Sequence, residues 1–123
     1  MEKSQLFVNL SNHFSDKWSA LQVEAAELFG KIVDVPFPDI PPSANESSIS
    51  DLAEEYVQKI QGIGEVSDIT VHIMGEMNFT YALVKRLRNQ GICCVASTTC
   101  RIVEERDGQK ISTFRFVKFR RYE

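Results

Sequence analysis

Three short polar segments hold most of the side chains that could do chemistry in this chain. They are residues 11–13, residues 75–78, and residues 97–99 with Arg101. Their hydroxyl, amide and backbone N–H groups can bond phosphate oxygens or base edges. His13 can act as a general acid or base near neutral pH, and Arg101 can supply full positive charge. These residue types favour a site for a phosphorylated or nucleotide ligand. The candidate ligand-binding residues are Ser11, Asn12, Gly75, Glu76, Asn78, Thr80, Ser97, Thr98 and Thr99.

Several of these residues also have an ordinary structural interpretation. A loop histidine such as His13 is often only a turn or cap residue. Glu76 precedes a predicted helix, so it could cap that helix or accept a hydrogen bond from a ribose hydroxyl or an adenine amino group. His72 lies inside a predicted strand and is interpreted as a core or helix-packing residue. The sequence alone leaves the roles of His13 and Glu76 open.

Other kinds of site have little support in the sequence. No carboxylate cluster or histidine pair has metal-ligand spacing, so we expect neither a metal nor a cofactor. A Walker loop and a GxGxxG motif are absent, which disfavours nucleoside triphosphatases and dinucleotide dehydrogenases. The three cysteines, Cys93, Cys94 and Cys100, fit neither a disulfide framework nor a CxxC pair. We expect reduced, mostly buried thiols in a cytoplasmic protein.

Charge is distributed unevenly along the 123 residues, whose net charge is −3. Residues 1–76 hold 13 acidic and 4 basic residues, whereas residues 77–123 hold 4 acidic and 10 basic ones. The basic half indicates either a solvated strand edge or a cationic surface for a polyanion. The acidic half argues against duplex DNA as a partner. No apolar run of about 18 residues predicts a membrane span, and residues 5–10 predict a strand rather than a signal peptide.

Hydrophobic spacing predicts the elements that must position these residues. Strands are predicted at 5–10, 31–35, 68–75 and 92–97. The first helix should run from Ser15 or Asp16 to about Phe29, with Trp18, Leu21, Ala25 and Leu28 buried. Two more helices are predicted at 48–64, opened by a capping box at Ser48 and Asp51, and at 78–91. Asp107-Gly108 predicts a C-terminal hairpin with alternating faces.

This order predicts a single α/β domain over residues 1–123. The pattern β-α-β-α-β-α-β favours a Rossmann-like three-layer sandwich with a mostly parallel sheet, to which the antiparallel C-terminal hairpin is added. Ligands of such sheets bind at the carboxyl ends of the strands. That rule selects the three polar segments, because each one follows a predicted strand.

Three stretches carry a resemblance to a known family: "LFVNLSNH", "VHIMGEMNFTYALV" and "ASTTCRIVEE" with "STFRFVKFRRY". They resemble small CRISPR-associated proteins with a Rossmann-fold, CARF-like domain. The most similar members are the stand-alone proteins of type III systems that are proposed as ring nucleases. The resemblance covers most of the chain and is weakest in the proline-rich segment 36–48.

The resemblance implies a function in antiviral signalling. Ring nucleases bind cyclic oligoadenylate, which we expect here to be the tetra-adenylate ring, and cleave it without a metal through attack by a ribose 2′-hydroxyl. It implies that His13 and Arg101 are catalytic, His13 moving the proton and Arg101 or a basic tail residue stabilising the transition state, and that the protein is a cytoplasmic homodimer. The alternatives are a sensor or sink that binds without cleaving, and a dimeric module that contacts RNA or protein.

Overall fold

The computed structural model describes residues 5–123; residues 1–4 of the predicted domain lie outside the described part. The strands are β1 (Leu6–Ser11), β2 (Lys31–Asp34), β3 (Ile69–Met74), β4 (Cys93–Arg106) and β5 (Gln109–Arg121). The helices are α1 (Ala20–Glu27), α2 (Glu46–Gln61) and α3 (Met77–Asn89). Short 3-10 helices lie at Ser15–Lys17 and Val66–Asp68. The predicted α/β class is confirmed.

The five strands form one mixed sheet in the order β2-β1-β3-β4-β5. The pairs β1–β2, β1–β3 and β3–β4 are parallel, and β4–β5 is antiparallel. The chain moves from β1 to one neighbour, β2, and then crosses to the other, β3. That reversal beside β1 opens a crevice outside the carboxyl ends of the parallel strands.

Each face of the sheet buries its own apolar cluster. The larger one joins alternate residues of β1 and β3, such as Val8 and Val71, to the buried stripes of α2 and α3. The smaller one joins Phe7, Phe116 and Phe119 to Ala26 of α1. Side chains of a strand alternate between faces, so Asn9 and His72 lie on the α1 side with Phe7. This parity places both polar residues inside the protein.

The first helix differs from its prediction. It begins at Ala20, after the separate 3-10 turn, and Ser19 rather than Ser15 or Asp16 caps it by accepting a 3.2 Å hydrogen bond from Gln22 N–H. Leu21 and Leu28 are 54% and 88% exposed, so the predicted buried stripe is wrong at these two positions, whereas Trp18 and Ala25 pack, partly buried, against the smaller cluster. The helix is only 8 residues long, and Ala26 is its one buried residue; the small Ala26 lets α1 pack against the sheet.

The second helix also begins earlier than predicted. Asn45, not Ser48, is its N-cap, and Oδ1 of Asn45 accepts a 3.0 Å bond from Ser48 N–H. The third helix begins at Met77, and its predicted face of Phe79, Leu83 and Leu87 is buried as expected. The errors lie at helix ends, where several nearby polar residues could each have served as the cap.

The predicted fourth strand and the first strand of the hairpin are one continuous element, β4. Only Cys93–Val95 pair with β3, whereas the rest of β4 pairs with β5 alone and extends beyond the sheet. We call this two-stranded extension, residues 99–116, the arm. Its turn is as predicted, because Asp107 and Gly108 have φ angles of 52° and 75°, as a tight hairpin turn requires.

The predicted alternation of β5 fails at one point. A register shift between Thr98 and Thr99 leaves Val117 unpaired, as in a β-bulge. Phe116 and Phe119 therefore face the same apolar cluster, although strict alternation would separate them. The bulge is what lets one strand bury two aromatic rings three positions apart.

Candidate functional site

A cavity of about 990 Å³ opens at the carboxyl ends of β1 and β3, on the α1 side of the sheet. That volume lies at the upper end of the usual range for small-molecule sites. Loop residues after β1, the start of α1, the end of β3 and the base of the arm all contribute to its wall. We call this space the crevice; its lining residues include Ser11, Asn12, His13, Lys17, Trp18, Gln22, His72, Gly75, Ser97, Thr99, Phe114, Arg115 and Phe116.

Six of the residues predicted from the sequence meet in the crevice. Ser11, Asn12 and His13 come from the end of β1, and Ser97 and Thr99 come from β4. Gly75 lies at the end of β3, between these two groups. Ser97 is held beside β3 because Met74 Sδ lies 2.9 Å from Ser97 Oγ and 3.2 Å from its backbone nitrogen. The expectation that polar ends of neighbouring strands converge is therefore confirmed for these positions.

The other predicted residues lie elsewhere. Thr80 lines a separate cavity of about 760 Å³ between α3 and the C-terminal residues. Asn78 is exposed on the first turn of α3. Thr98 donates a 3.1 Å hydrogen bond to the Lys118 carbonyl oxygen, across β4 and β5. None of the three is among the residues that line the crevice within residues 5–123.

Arg101 lies on the arm, away from the crevice. It is exposed, and its guanidinium donates to Ser112 Oγ from Nε and from Nη2, at 3.3 and 3.0 Å. Arg115 on β5 lines the crevice instead. Sequence reasoning left Arg101 and the basic residues of the tail as alternatives, because which of them lines the crevice depends on how the arm packs across the strand ends.

Glu76 and Gly75 have structural roles at the start of α3. Glu76 Oε1 accepts a 2.7 Å hydrogen bond from Phe79 N–H, so the capping interpretation is confirmed. A Cβ added at Gly75 would overlap the ring of Phe37, which comes from the proline-rich segment. Phe37 packs edge-on against Phe79, with ring centroids 5.3 Å apart. Gly75 is thus needed so that Phe37 can cover the strand end.

A row of hydrogen bonds crosses three adjacent strands beneath the crevice. Asp34 on β2, Asn9 on β1 and His72 on β3 are register partners. Asn9 Nδ2 donates to Asp34 Oδ1 at 2.8 Å, and Asn9 Oδ1 lies 2.9 Å from His72 Nδ1. Ser11 Oγ donates to the same Asn9 oxygen at 2.8 Å. The row ties the floor of the crevice to the edge strand.

The protein environment shifts the pKa of both ends of this row. Burial lowers the pKa of His72 from 6.5 to about 4, since the charged ring would lose its water. Burial raises the pKa of Asp34, but hydrogen bonds from Asn9 and Ser15 outweigh that effect and leave it lowered. At neutral pH the row therefore consists of a carboxylate, an amide and a neutral imidazole.

The charge and aromatic content of the crevice suit a nucleotide. Among the described residues, Lys17 and Arg115 line it and no Asp or Glu does. The half-buried Trp18 and the exposed Phe114 offer ring faces for stacking bases. Hydroxyl groups from Ser11, Ser97 and Thr99 complete a set that could bond phosphate and ribose.

No described feature indicates a metal site or a reactive thiol in the crevice. In residues 5–123, no group of three His, Cys, Asp or Glu side chains could hold a metal ion. The three cysteines are free. Burial first, and then the neighbouring Cys93, raise the pKa of Cys94 to about 12, while Arg88 opposes them. Cys100 is exposed on the arm, so the expectation of burial is wrong for this residue.

Sequence reasoning missed several crevice residues, among them His72, Trp18 and Arg115. Its interpretation of His72 as a core residue is confirmed by an exposure of 2%, but His72 also lines the crevice. A signal for His72 was present, because Asn9 and His72 interrupt two apolar strands on the same side. A polar residue on the buried side of each of two neighbouring strands indicates a hydrogen-bonded pair. Trp18 and Arg115 carry no such signal, since the spacing assigned Trp18 to a buried helix face and arginine is common on ordinary surfaces.

Comparison with known proteins gives one family. The model of the Uncharacterized protein MJ1673 family matches residues 5–120. The chain belongs to this family. In the MJ1673 family match, the aligned range includes β1 to β4, nearly all of β5 and every residue that lines the crevice. No curated protein and no solved structure matches the chain. Within the described residues, no helix is long and apolar enough to cross a membrane.

Proposed function

We propose that the protein binds a cyclic oligoadenylate in the crevice and opens the ring without a metal ion. The observation that carries this proposal is the convergence of Ser11, Asn12, His13, Ser97 and Thr99 on one cationic space that also holds Arg115. Hydroxyl and amide donors suit phosphate and ribose, and the aromatic rings suit adenine. The resemblance to ring nucleases of type III CRISPR systems gives the ligand class.

The chemistry that fits this crevice is an internal transesterification. A ribose 2′-oxygen attacks the adjacent phosphorus, the new O2′–P bond forms and the P–O5′ bond breaks. The 2′-hydroxyl loses a proton and the 5′-oxygen gains one, so no water is consumed. The exposed His13 can move a proton between ligand and solvent. Arg115, rather than Arg101, would stabilise the charge that builds up on the phosphorane oxygens.

The proposal extends to the fold type, the assembly and the location. The helices on both faces and the reversal beside β1 support a Rossmann-like class for the sheet. A two-fold homodimer would present two crevices to a ligand that itself has repeated units. Val103 of β4 and Val117 of β5, each 54% exposed, offer apolar surface for such a contact. Three free thiols support a cytoplasmic location.

The second candidate function is a sink, a protein that binds the ligand without cleaving it. The environments of the two histidines favour it, because neither is suited to act as an oriented general base. The His13 side chain makes no hydrogen bond within the described residues, so no neighbour orients it as triads orient their base. The other histidine, His72, is a weak base because of its lowered pKa.

The deciding experiment is incubation with labelled cyclic tetra-adenylate and cyclic hexa-adenylate in EDTA. A ring nuclease yields linear products that end in a 2′,3′-cyclic phosphate. Tight binding with intact ligand recovered after many hours would establish the sink instead. No binding of either ring, measured by calorimetry and by thermal shift, would overturn both candidates. Arg115→Ala tests the cationic wall, and Lys110→Ala, near the exposed hairpin turn, is its matched control.

A further inference from the structure

His72 is a buried histidine in the wall of the crevice, and one of its ring nitrogens has no partner. The residue is 2% exposed, and the rings of Phe7, Trp18 and Phe119 lie 6.1, 5.5 and 5.3 Å from it between centroids. Among residues 5–123, nothing forms a hydrogen bond with Nε2. Since buried polar atoms are nearly always paired, an unused one beside a cavity points to a ligand.

The neighbours of Asn9 fix which way its amide points. Its Nδ2 lies 2.8 Å from Asp34 Oδ1 and 2.9 Å from the His13 carbonyl oxygen, and both of these atoms can only accept. Rotating the amide by a half-turn would place its oxygen against these two oxygens and lose both bonds. Asn9 Oδ1 therefore faces Ser11 and His72.

The orientation of Asn9 in turn fixes the proton on His72. Asn9 Oδ1 has no hydrogen, so the 2.9 Å contact with His72 Nδ1 requires that Nδ1 donate. A neutral ring with its proton on Nδ1 has a bare lone pair on Nε2. Aromatic surroundings, and the lack of a contacting carboxylate among residues 5–123, keep the ring neutral. The unpaired ring nitrogen of this crevice residue is thus an acceptor, not a donor.

We infer that His72, held as the Nδ1–H tautomer by Asn9, accepts a hydrogen bond at Nε2 from a ribose 2′-hydroxyl of the ligand. An unpaired acceptor requires a ligand that brings a donor, which phosphate oxygens cannot do. Ser11, which suits phosphate and ribose, bonds to the same Asn9 oxygen as His72. The inference rests on the proposed function and adds discrimination between ribose and deoxyribose, because a deoxyribose leaves Nε2 unpaired.

A double-mutant cycle tests this inference. Wild type and His72→Asn are each titrated calorimetrically with cyclic tetra-adenylate and with its all-2′-deoxy counterpart. The Asn amide nitrogen can replace Nδ1 as the donor to Asn9 but supplies no acceptor where Nε2 lies. We expect the deoxy ring to bind the wild type about tenfold more weakly than the ribo ring. The His72→Asn variant should bind the two rings alike.

The possible outcomes separate this inference from the proposed function. This inference alone is overturned if the wild type binds the ribo ring and the His72→Asn variant loses as much affinity on going from the ribo to the deoxy ring as the wild type does. Failure of the wild type to bind the ribo ring would overturn the proposed function and this inference with it. His72→Gln, whose carbonyl can lie near the Nε2 position, should restore part of the discrimination and guards against a misfolded first variant.

The tautomer can be measured without any ligand. The chain has 2 histidines, so nitrogen-15 labelling of His13→Gln leaves the His72 ring as the only imidazole signal. We expect the pattern of a neutral ring protonated at Nδ1, with a lone pair on Nε2, at pH near 7. A ring protonated at Nε2, or at both nitrogens, would overturn the inference whatever the ligand experiments show.

Discussion

Asn9 Oδ1 lies 2.9 Å from His72 Nδ1 where the two residues are paired across β1 and β3. This contact joins the buried faces of two otherwise apolar strands. It is extended by Asp34, which accepts from the Asn9 amide at 2.8 Å. Asp34 on the edge strand β2 therefore orients the Asn9 amide, and Asn9 in turn orients the His72 ring at the crevice. The position of His72 depends on the register of three strands rather than on a loop.

Stability should fall as the pH is lowered from about 6.5 to about 4, because burial lowers the pKa of His72 to about 4. In this range the unfolded chain binds a proton at His72 that the folded protein does not, so stability rises with pH. We expect the free energy of unfolding to be roughly 2 to 3 kcal/mol lower at about pH 4.5 than at pH near 7. Asp34, whose pKa is also lowered, loses its contribution only at still lower pH. Urea denaturation at the two pH values measures the difference.

The control for this prediction is His72→Asn, which has no ring to titrate. Its free energy of unfolding should depend less on pH over the same range, even if the variant is less stable near pH 7. Equal pH dependence in the two proteins would assign the effect to other groups.

The sequence was enough to predict the element types and the strand ends that meet. Strands show apolar residues at every second position and helices at every third or fourth, because each buries one face. Such spacing can be recognised within a short stretch of sequence. The bulge at Val117 was not predictable, since it depends on how Phe116 and Phe119 pack with Phe7 of the distant strand β1 in one cluster. That Arg115 and not Arg101 is among the residues lining the crevice depends on how the arm packs across the strand ends, which no local pattern gives.

Gly75→Ala should destabilise the protein by about 1 to 3 kcal/mol, because the added methyl group overlaps the Phe37 ring. Gly62→Ala is the matched control. There an added Cβ meets nothing nearer than 3.5 Å, so we expect little change or a small gain in stability. Thermal and urea denaturation give both values. The double variant Gly75→Ala with Phe37→Ala should be less destabilised than the sum of its single changes, and strict additivity would contradict the proposed overlap.

Arg115→Ala should weaken binding of cyclic tetra-adenylate by about tenfold or more, since a charge-assisted hydrogen bond to phosphate is lost. Arg101→Ala should have a smaller effect, because Arg101 is bonded to Ser112 outside the crevice. Calorimetric titration of both variants and of Lys110→Ala compares three basic residues of the arm. A larger loss for Arg101→Ala than for Arg115→Ala would favour the assignment implied by the family resemblance over the one based on geometry.

The three thiols should react at different rates with a disulfide reagent such as dithionitrobenzoate. Cys100 is exposed and should react first, Cys93 is partly buried and should react more slowly, and Cys94 should not react until the protein unfolds. The raised pKa of Cys94, about 12, leaves almost no thiolate at neutral pH. Cys100→Ser should remove the fast phase and leave the other phases unchanged. Fast reaction of all three thiols in the native protein would show that β4 opens at its buried end.

Glu76→Ala should cost about 1 kcal/mol of stability without changing ligand affinity, because Glu76 caps α3 through Phe79 N–H. The alternative from the sequence, that its carboxylate accepts a hydrogen bond from ribose or adenine, requires a loss of affinity. Asn45→Ala removes the corresponding cap of α2, a 3.0 Å bond from Ser48 N–H. Asn45 does not line the crevice, so the two variants should show similar losses in urea denaturation and unchanged calorimetric affinity. If only Glu76→Ala binds cyclic tetra-adenylate more weakly, the carboxylate contacts the ligand as well as the helix.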